Sequence, residues 1–148
     1  MKFEFSTDTA TIAFFDPMLL QHKLNEPADW WTRPSVLLKE MNANNLIVAG
    51  LGQDGFYRIE IVLMNETLSV YSFQAYLNCV SGRIYVGPGE DISGGELEPD
   101  ESLGGRFIEV PSGLYIIRAQ REDKQIIISL SQLNNSNFKN DFTDELVL

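Results

Sequence analysis

Histidine and cysteine, the side chains that most often serve as general base or nucleophile, each occur once in the chain. A Cys79–His22 pair, or a serine activated by His22, is the catalytic arrangement that this inventory allows. Cys79 lies in the apolar stretch AYLNCV and His22 in LLQHKL, and neither stretch has the signature of an activated nucleophile. A single cysteine and a single histidine also exclude, within one chain, a disulfide and metal centres built from several thiolates or two imidazoles. The sequence therefore predicts no catalytic residue, no metal ligand and no cofactor.

Carboxylates are the most concentrated functional groups. Six acidic residues and no basic residue lie between Glu90 and Glu101, and surrounding glycines and prolines predict a long, exposed, mobile connection over residues 88–105. Calcium binding is one interpretation, although the spacing does not match an EF-hand loop. A surface that attracts a basic partner is the second, and a solvated loop that favours solubility is the third. The candidate partner-binding acids are Glu96, Glu98, Asp100 and Glu101.

The two tryptophans, Trp30 and Trp31, are adjacent, so their side chains cannot point the same way in a helix or a strand. In one interpretation, one indole is in the core and the other is exposed between Asp29 and Arg33, where tryptophan often anchors a protein interface. In the alternative, both cover the edge of the core. Trp30 and Trp31 are therefore added to the candidate partner-binding residues.

Residues 50–55 read GLGQDG, which matches the glycine pattern of a dinucleotide-binding loop. Such a loop must open a helix, because the pyrophosphate binds at the helix N-terminus. The next residues, FYRIEIVLM, alternate with period two and so predict a strand. We interpret Asp54-Gly55 as a hairpin turn and expect no nucleotide at this loop.

Length and charge narrow the classes of protein further. The chain has 148 residues, a net charge of −10 and 44% hydrophobic residues, which predicts one folded domain over residues 1–148. The acidic excess argues against binding to nucleic acid or an anionic membrane. The N-terminal residues lack the apolar core of a signal peptide, and no apolar run reaches the roughly 18 residues that span a bilayer. We expect a soluble, cytoplasmic protein.

The elements that must position these groups are mostly strands. Period-two patterns at residues 2–6 and 9–15 predict a first hairpin across Thr7-Asp8. Asp16-Pro17 and Pro34 each predict the start of a short helix, and Leu20 and Leu24 are expected on one face of the first. Further strands are expected at residues 46–50, 56–64, 68–77, 83–87, 106–110, 114–120 and 124–130. The predicted fold is a mainly antiparallel β-sandwich or flattened barrel, with one or two short helices in the N-terminal third.

The C-terminal stretch, residues 133–148, permits two interpretations. Its first part is rich in asparagine, as in a frayed tail. Phe138, Phe142 and Leu146 are spaced four residues apart, which is also compatible with a short amphipathic helix that docks on the sheet or on a second subunit. A homodimer is therefore one of the arrangements we consider.

Residues 106–120, RFIEVPSGLYIIRAQ, combine a Val-Pro-Ser-Gly turn with a strand that contains Tyr115. This pattern resembles a turn and strand in the competence protein J family, bacterial inhibitors of a DNA-entry nuclease, and in other small bacterial β-proteins. The resemblance implies a small bacterial β-protein that acts by binding another protein.

Three hypotheses follow. The first is a non-enzymatic binding protein, such as an immunity or inhibitor protein that neutralises a basic partner, for example a nuclease toxin. The second is a β-sandwich that binds a small molecule or carbohydrate in an aromatic cleft. Its candidate lining residues are Trp30, Trp31, Tyr57, Tyr71, Tyr76, Tyr85 and Tyr115. The third is an enzyme that uses two carboxylates, as glycosidases do.

Overall fold

The structure is a computed structural model that describes residues 1–63, 68–93, 98–135 and 137–148. In the described residues, strands form most of the regular structure. The strands are β1 Lys2–Thr7, β2 Thr11–Phe15, β3 Leu46–Gly50, β4 Gly55–Leu63, β5 Phe73–Cys79, β6 Arg83–Pro88, β7 Arg106–Glu109, β8 Gly113–Glu122, β9 Gln125–Leu133 and β10 Leu146–Val147. The helices within these ranges are α1, Pro34–Asn42, and 3₁₀ helices at Pro17–Lys23, Trp30–Thr32 and Gly89–Ile92.

The strands of the described residues form two five-stranded sheets. Sheet 1 has the order β1-β4-β9-β8-β5, and sheet 2 has the order β10-β3-β2-β6-β7. Neighbouring strands are antiparallel except for two parallel pairs, β4 with β9 and β3 with β10. Apolar side chains from both sheets form one core cluster between them, which defines a β-sandwich. The predicted fold class is confirmed.

The alternation of side chains in β4 shows how the sequence directs one face inward. Tyr57, Ile59 and Ile61 are buried, whereas Arg58 is exposed, as the period-two pattern predicts. Unlike β4, the strands β2 and β3 are buried on both faces, because their outward-facing side chains join a second apolar cluster with residues of the helical segments. Strands buried on both faces need continuous apolar sequence, which explains the runs TIAFF and LIVAG.

Two predicted turns connect different sheets instead of forming hairpins. β1 pairs with β4, whereas β2 pairs with β3 and β6, so the predicted hairpin of residues 2–6 and 9–15 is wrong. The hairpin at Asp54-Gly55 is also wrong, because β3 and β4 belong to opposite sheets. Gly55 does have a positive φ, of 124°, and a strand does follow the GLGQDG sequence, as expected. Turn-prone residues mark a change of direction without specifying the strand that will be the next neighbour.

Both predicted helix starts are present, at Pro17 and Pro34. The first helix is a 3₁₀ helix, whose side chains repeat every three residues, so Pro17 and Leu20 are buried together. Leu24, which an α-helical period would place beside Leu20, is 50% exposed instead. The strand expected over residues 68–77 begins later, at Phe73.

The described part of the C-terminal stretch contains no helix. It runs extended along the protein and ends in β10, which pairs with β3. The Asn140 side chain bonds to both backbone polar groups of Tyr76 on the edge strand β5, at 2.7 Å each. Phe142 and Leu146 pack against the protein's own apolar clusters. The short-helix interpretation of residues 133–148 is therefore wrong for the described residues, while a homodimer stays a prediction.

No helix in the described part of the chain has the length and apolar character required to cross a membrane.

Candidate functional site

A groove of about 130 Å³ opens between the first 3₁₀ helix and the turn that joins β5 to β6. Its lining includes Asp16, Pro17, Met18, Leu24, Arg83 and Glu98, and we call it the Met18–Glu98 groove. Met18 and Leu24 are 55% and 50% exposed, and Val80, on the β5–β6 turn, is 50% exposed. An exposed apolar centre with charged residues at its edge is the composition of a protein-binding surface.

Asp16 holds the two walls of this groove together. Its carboxylate is fully buried, and it accepts a hydrogen bond from the Met18 backbone N–H at 3.0 Å, which caps the 3₁₀ helix. It also accepts bonds from the backbone N–H groups of Val80 and Ser81, at 2.7 and 2.8 Å, and from the Ser81 hydroxyl at 2.8 Å. The positions of Met18 and Val80 therefore depend on the same side chain.

Glu98 forms the charged edge of the groove. The Arg83 guanidinium donates to both Glu98 carboxylate oxygens, at 2.8 and 2.9 Å, and lies 4.1 Å from the centre of the Phe107 ring. Both side chains of this ion pair are substantially exposed to solvent. Exposed pairs of this kind contribute little to stability. Glu98 is thus oriented by Arg83 and remains accessible to a partner.

The other acids predicted to bind a partner differ in how far their carboxylates are exposed. Asp100 is exposed, and hydrogen bonds from Ser102 lower the pKa of its carboxyl group. Glu101 has a left-handed backbone (φ 60°), and its carboxylate accepts the backbone N–H of Phe107 at 3.0 Å. Glu96 lies outside the described residues. The surface acids that the structure places in this segment are therefore Glu98 and Asp100, with Glu101 half-buried.

The first residues of the acidic segment are held against the sandwich. Glu90 accepts hydrogen bonds from the hydroxyls of Thr7 and Thr9, at 2.9 and 2.5 Å, and from the Asp8 backbone N–H at 2.6 Å. Asp91 is buried next to Tyr85. The prediction of an exposed connection over residues 88–105 is wrong for this part, because these carboxylates serve as internal acceptors. The calcium interpretation accordingly loses two of its six candidate ligands.

Asp91 and Tyr85 form a buried pair in which the tyrosine hydroxyl donates to the carboxylate. Burial raises the pKa of Asp91, partly offset by that hydrogen bond, and burial together with the nearby acid raises the pKa of Tyr85. A Cβ atom at Gly87 would lie 2.6 Å from the Tyr85 hydroxyl oxygen. Gly87 therefore makes room for the tyrosine that anchors the segment.

The tryptophans are not exposed. Trp30 and Trp31 are 1% and 7% exposed, and both belong to the apolar cluster on the outer face of sheet 2. The interpretation in which one indole lies at the rim as an anchor is wrong, and the alternative, in which both tryptophans cover the edge of the core, is correct, because β2 and β3 need large apolar side chains to cover their outer face. Trp31 also lines a cavity of about 250 Å³.

His22 and Cys79 have structural partners. The Nε2 atom of His22 lies 2.7 Å from the carboxylate of the buried Glu40, which also accepts a bond from Asn45 at 2.9 Å. Cys79 is buried, and burial raises the pKa of its thiol. Within the described residues, no hydrogen bond joins His22 to Cys79 or to a serine.

The aromatic residues proposed to line one cleft are divided between different surroundings. Tyr57, Tyr85 and Tyr115 are buried in the core, whereas Tyr71 is exposed with Arg118 stacked on its ring at 4.7 Å. Tyr76 stacks on Phe138, with ring centres 5.3 Å apart. These tyrosines do not share a cleft.

Sequence reasoning missed Met18 and Leu24 as surface residues. The available signal was the Asp16-Pro17 pair, which fixes a tight turn at the helix start. A period of three instead of four would have placed Leu20 inside and left Met18 and Leu24 outside.

The fold and the groove define a class of protein: a small two-sheet β-sandwich with a surface groove in which Met18 and Leu24 lie beside the charged side chains of Arg83 and Glu98. The chain belongs to a family of unknown function (DUF6386), whose family model matches residues 1–148. No curated protein sequence matches the chain.

Two solved structures share the fold. One is described as "Crocagin biosynthetic gene J", with a TM-score of 0.58 and 17% identity over 88% of this chain and 95% of that chain. The other is ComJ from Bacillus subtilis, an inhibitor of the DNA-degrading activity of NucA, with a TM-score of 0.54 and 14% identity over 90% of this chain and 96% of that chain. The resemblance found at residues 106–120 is therefore confirmed as a similarity of fold.

Proposed function

We propose that this protein is a non-enzymatic binding protein that inhibits a basic protein partner, with a nuclease as the leading candidate class. The observation that supports this most is the similarity to ComJ, itself a nuclease inhibitor, over 90% of the chain. The acidic composition is consistent with it, since a net charge of −10 attracts cationic surfaces and accelerates their association.

The Met18–Glu98 groove is the proposed contact surface. Interfaces combine an apolar centre, which contributes the affinity, with a polar rim, which contributes orientation and association rate. Met18 and Leu24 supply the exposed apolar centre, and Glu98 supplies a carboxylate at the edge. Asp100 is not part of the lining, but it is exposed and lies two residues along the chain from Glu98, so it adds negative charge next to the groove. Arg83 already orients Glu98, so less side-chain entropy is lost when a partner binds.

Trp30 and Trp31 are not part of this contact surface, because they are buried. Glu96 remains a candidate contact from the sequence alone, and Glu101 contributes mainly through its negative charge. The cytoplasmic location and a role as an immunity protein stay predictions of the same hypothesis.

Co-purification with the basic products of neighbouring genes, at low ionic strength, tests the proposal. The double variant Glu98→Gln/Asp100→Asn should weaken the complex by about tenfold, since two interfacial charges are lost. The matched control is Glu122→Gln/Asp123→Asn, which removes the same charge from exposed acids on the β8–β9 turn of sheet 1. Failure to retain any basic protein, or equal affinities for the two double variants, would refute the proposed surface.

A further inference from the structure

A cavity of about 250 Å³ lies at the opposite end of β2 from the Met18–Glu98 groove. Trp31, Leu37 and Val48 give it an apolar side, and Thr9 and Thr11 give it a hydroxyl-bearing side, with the two hydroxyl oxygens 2.7 Å apart. Glu145, from the C-terminal stretch, adds a carboxylate. None of the described residues that line the cavity is basic.

Glu145 is the one acidic residue among the described residues that line the cavity. Glu145 is exposed, and among the described residues it takes part in no ion pair and its carboxylate accepts no hydrogen bond. Thr9, on the opposite wall, is bonded at 2.5 Å to the carboxylate of Glu90. The cavity therefore combines an indole, hydroxyl groups and uncompensated negative charge.

This combination selects a particular ligand chemistry. An anion would be repelled, and a purely apolar group would leave the Glu145 carboxylate without a partner. A guanidinium or ammonium group can lie against the indole and donate hydrogen bonds to a carboxylate. We propose that the cavity binds the cationic end of an arginine or lysine side chain supplied by the protein partner.

That the bearer of this cation is a partner protein rests on the proposed function, whereas the cation-binding chemistry does not. The cavity and the groove both lie on the side of sheet 2 that is covered by the helical segments. The five residues of β2 separate them by about 16 Å. One interface of ordinary size, about 800 Å² on each partner, can cover both.

Trp31 has a different role here from the one in the interpretation that made an exposed indole insert into a partner. Trp31 is only 7% exposed. In the structure, the partner's side chain must instead reach Trp31. The backbone of Gly89 passes close to the indole, because a Cβ atom at this position would lie 3.2 Å from the Trp31 ring.

Nuclear magnetic resonance with ¹⁵N-labelled protein tests the cavity without any partner protein. N-acetylarginine amide should shift the Trp31 indole signal in a saturable manner, while the signal of Trp30 serves as an internal reference. N-acetylcitrulline amide, which has nearly the same shape and no charge, should bind more weakly. Glu145→Gln should weaken arginine binding by about two- to fivefold. Asp144→Asn is the matched control, because Asp144 is exposed, adjacent and not part of the lining.

Saturable binding that depends on charge and on Glu145 supports the cavity even if no basic partner is ever retained, in which case only the proposed function fails. A shift that does not saturate, equal binding of the citrulline compound, or equal effects of the two variants would overturn the inference. A partner complex unaffected by Glu145→Gln would likewise remove the cavity from the interface, while the proposed function would stand.

Discussion

Replacing Asp16 by alanine should lower the free energy of unfolding by about 3 kcal/mol. The carboxylate is fully buried and accepts four hydrogen bonds, from Met18, Val80 and two donors of Ser81. Alanine removes all four acceptor contacts and leaves three backbone N–H groups to find new partners.

The magnitude follows from the individual contacts. Loss of a helix cap costs about 1 kcal/mol. Hydrogen bonds to a charged group contribute about 1.5–3 kcal/mol each, which would suggest about 3–6 kcal/mol for the bonds from the Val80 and Ser81 backbones. Val80 and Ser81 are exposed residues, so water can replace part of that contribution. Removing a buried charge also recovers some desolvation free energy. The net loss of unfolding free energy expected for Asp16→Ala is therefore about 3 kcal/mol.

Urea unfolding of the wild type, Asp16→Ala and Ser81→Ala measures this difference. Ser81→Ala loses only the hydroxyl bond and should cost about 1 kcal/mol. In thermal unfolding, the Asp16→Ala change should lower Tm by roughly 6–12 °C. If Asp16→Ala lowered the unfolding free energy by less than about 1 kcal/mol, or by the same amount as Ser81→Ala, the Asp16 carboxylate would not be what joins the two walls of the groove.

Three further predictions concern the rest of the molecule. Burial would raise the pKa of Glu40, but hydrogen bonds from Asn45 and His22 outweigh it and hold the pKa below the ordinary value of a glutamate. The resulting stabilisation is present above the unfolded-state pKa and is lost as the pH falls through the folded-state pKa, so Glu40→Gln should flatten the dependence of the unfolding free energy on acid pH. Asn140→Ala should cost about 3 kcal/mol in urea unfolding, because Tyr76 and Met41 lose their hydrogen bonds, whereas exposed Asn134→Ala should cost almost nothing. Cys79 should react with a thiol reagent only as fast as the protein opens, and a native-state rate like that of an unfolded peptide would contradict its burial.

Local sequence patterns predicted the strands better than their partners. The limits of β3 are those expected from LIVAG, since a short apolar run bounded by turn residues is a local property. The pairing of β1 with β4, and the parallel pairing of β4 with β9, join segments far apart in the chain. Pairings of this kind depend on which faces the whole chain must bury.

The candidate site, like the fold, was predictable where it depends on local sequence and not where it depends on contacts between distant segments. Composition located the acidic segment, but the inward direction of Glu90 and Asp91 depends on Thr7 and Tyr85, which come from other strands. The exposure of Leu24 depends on a 3₁₀ rather than an α-helical period. The burial of both tryptophans follows from the unusual need to cover the outer face of β2 and β3.

The proposed inhibition of a basic nuclease through the Met18–Glu98 groove can be measured as DNA degradation by the co-purified partner while increasing amounts of this protein are added. We expect stoichiometric loss of nuclease activity with the wild type and with Glu122→Gln/Asp123→Asn, and about tenfold weaker inhibition with Glu98→Gln/Asp100→Asn. Undiminished degradation at a molar excess of the wild type, or identical inhibition by both double variants, would contradict it.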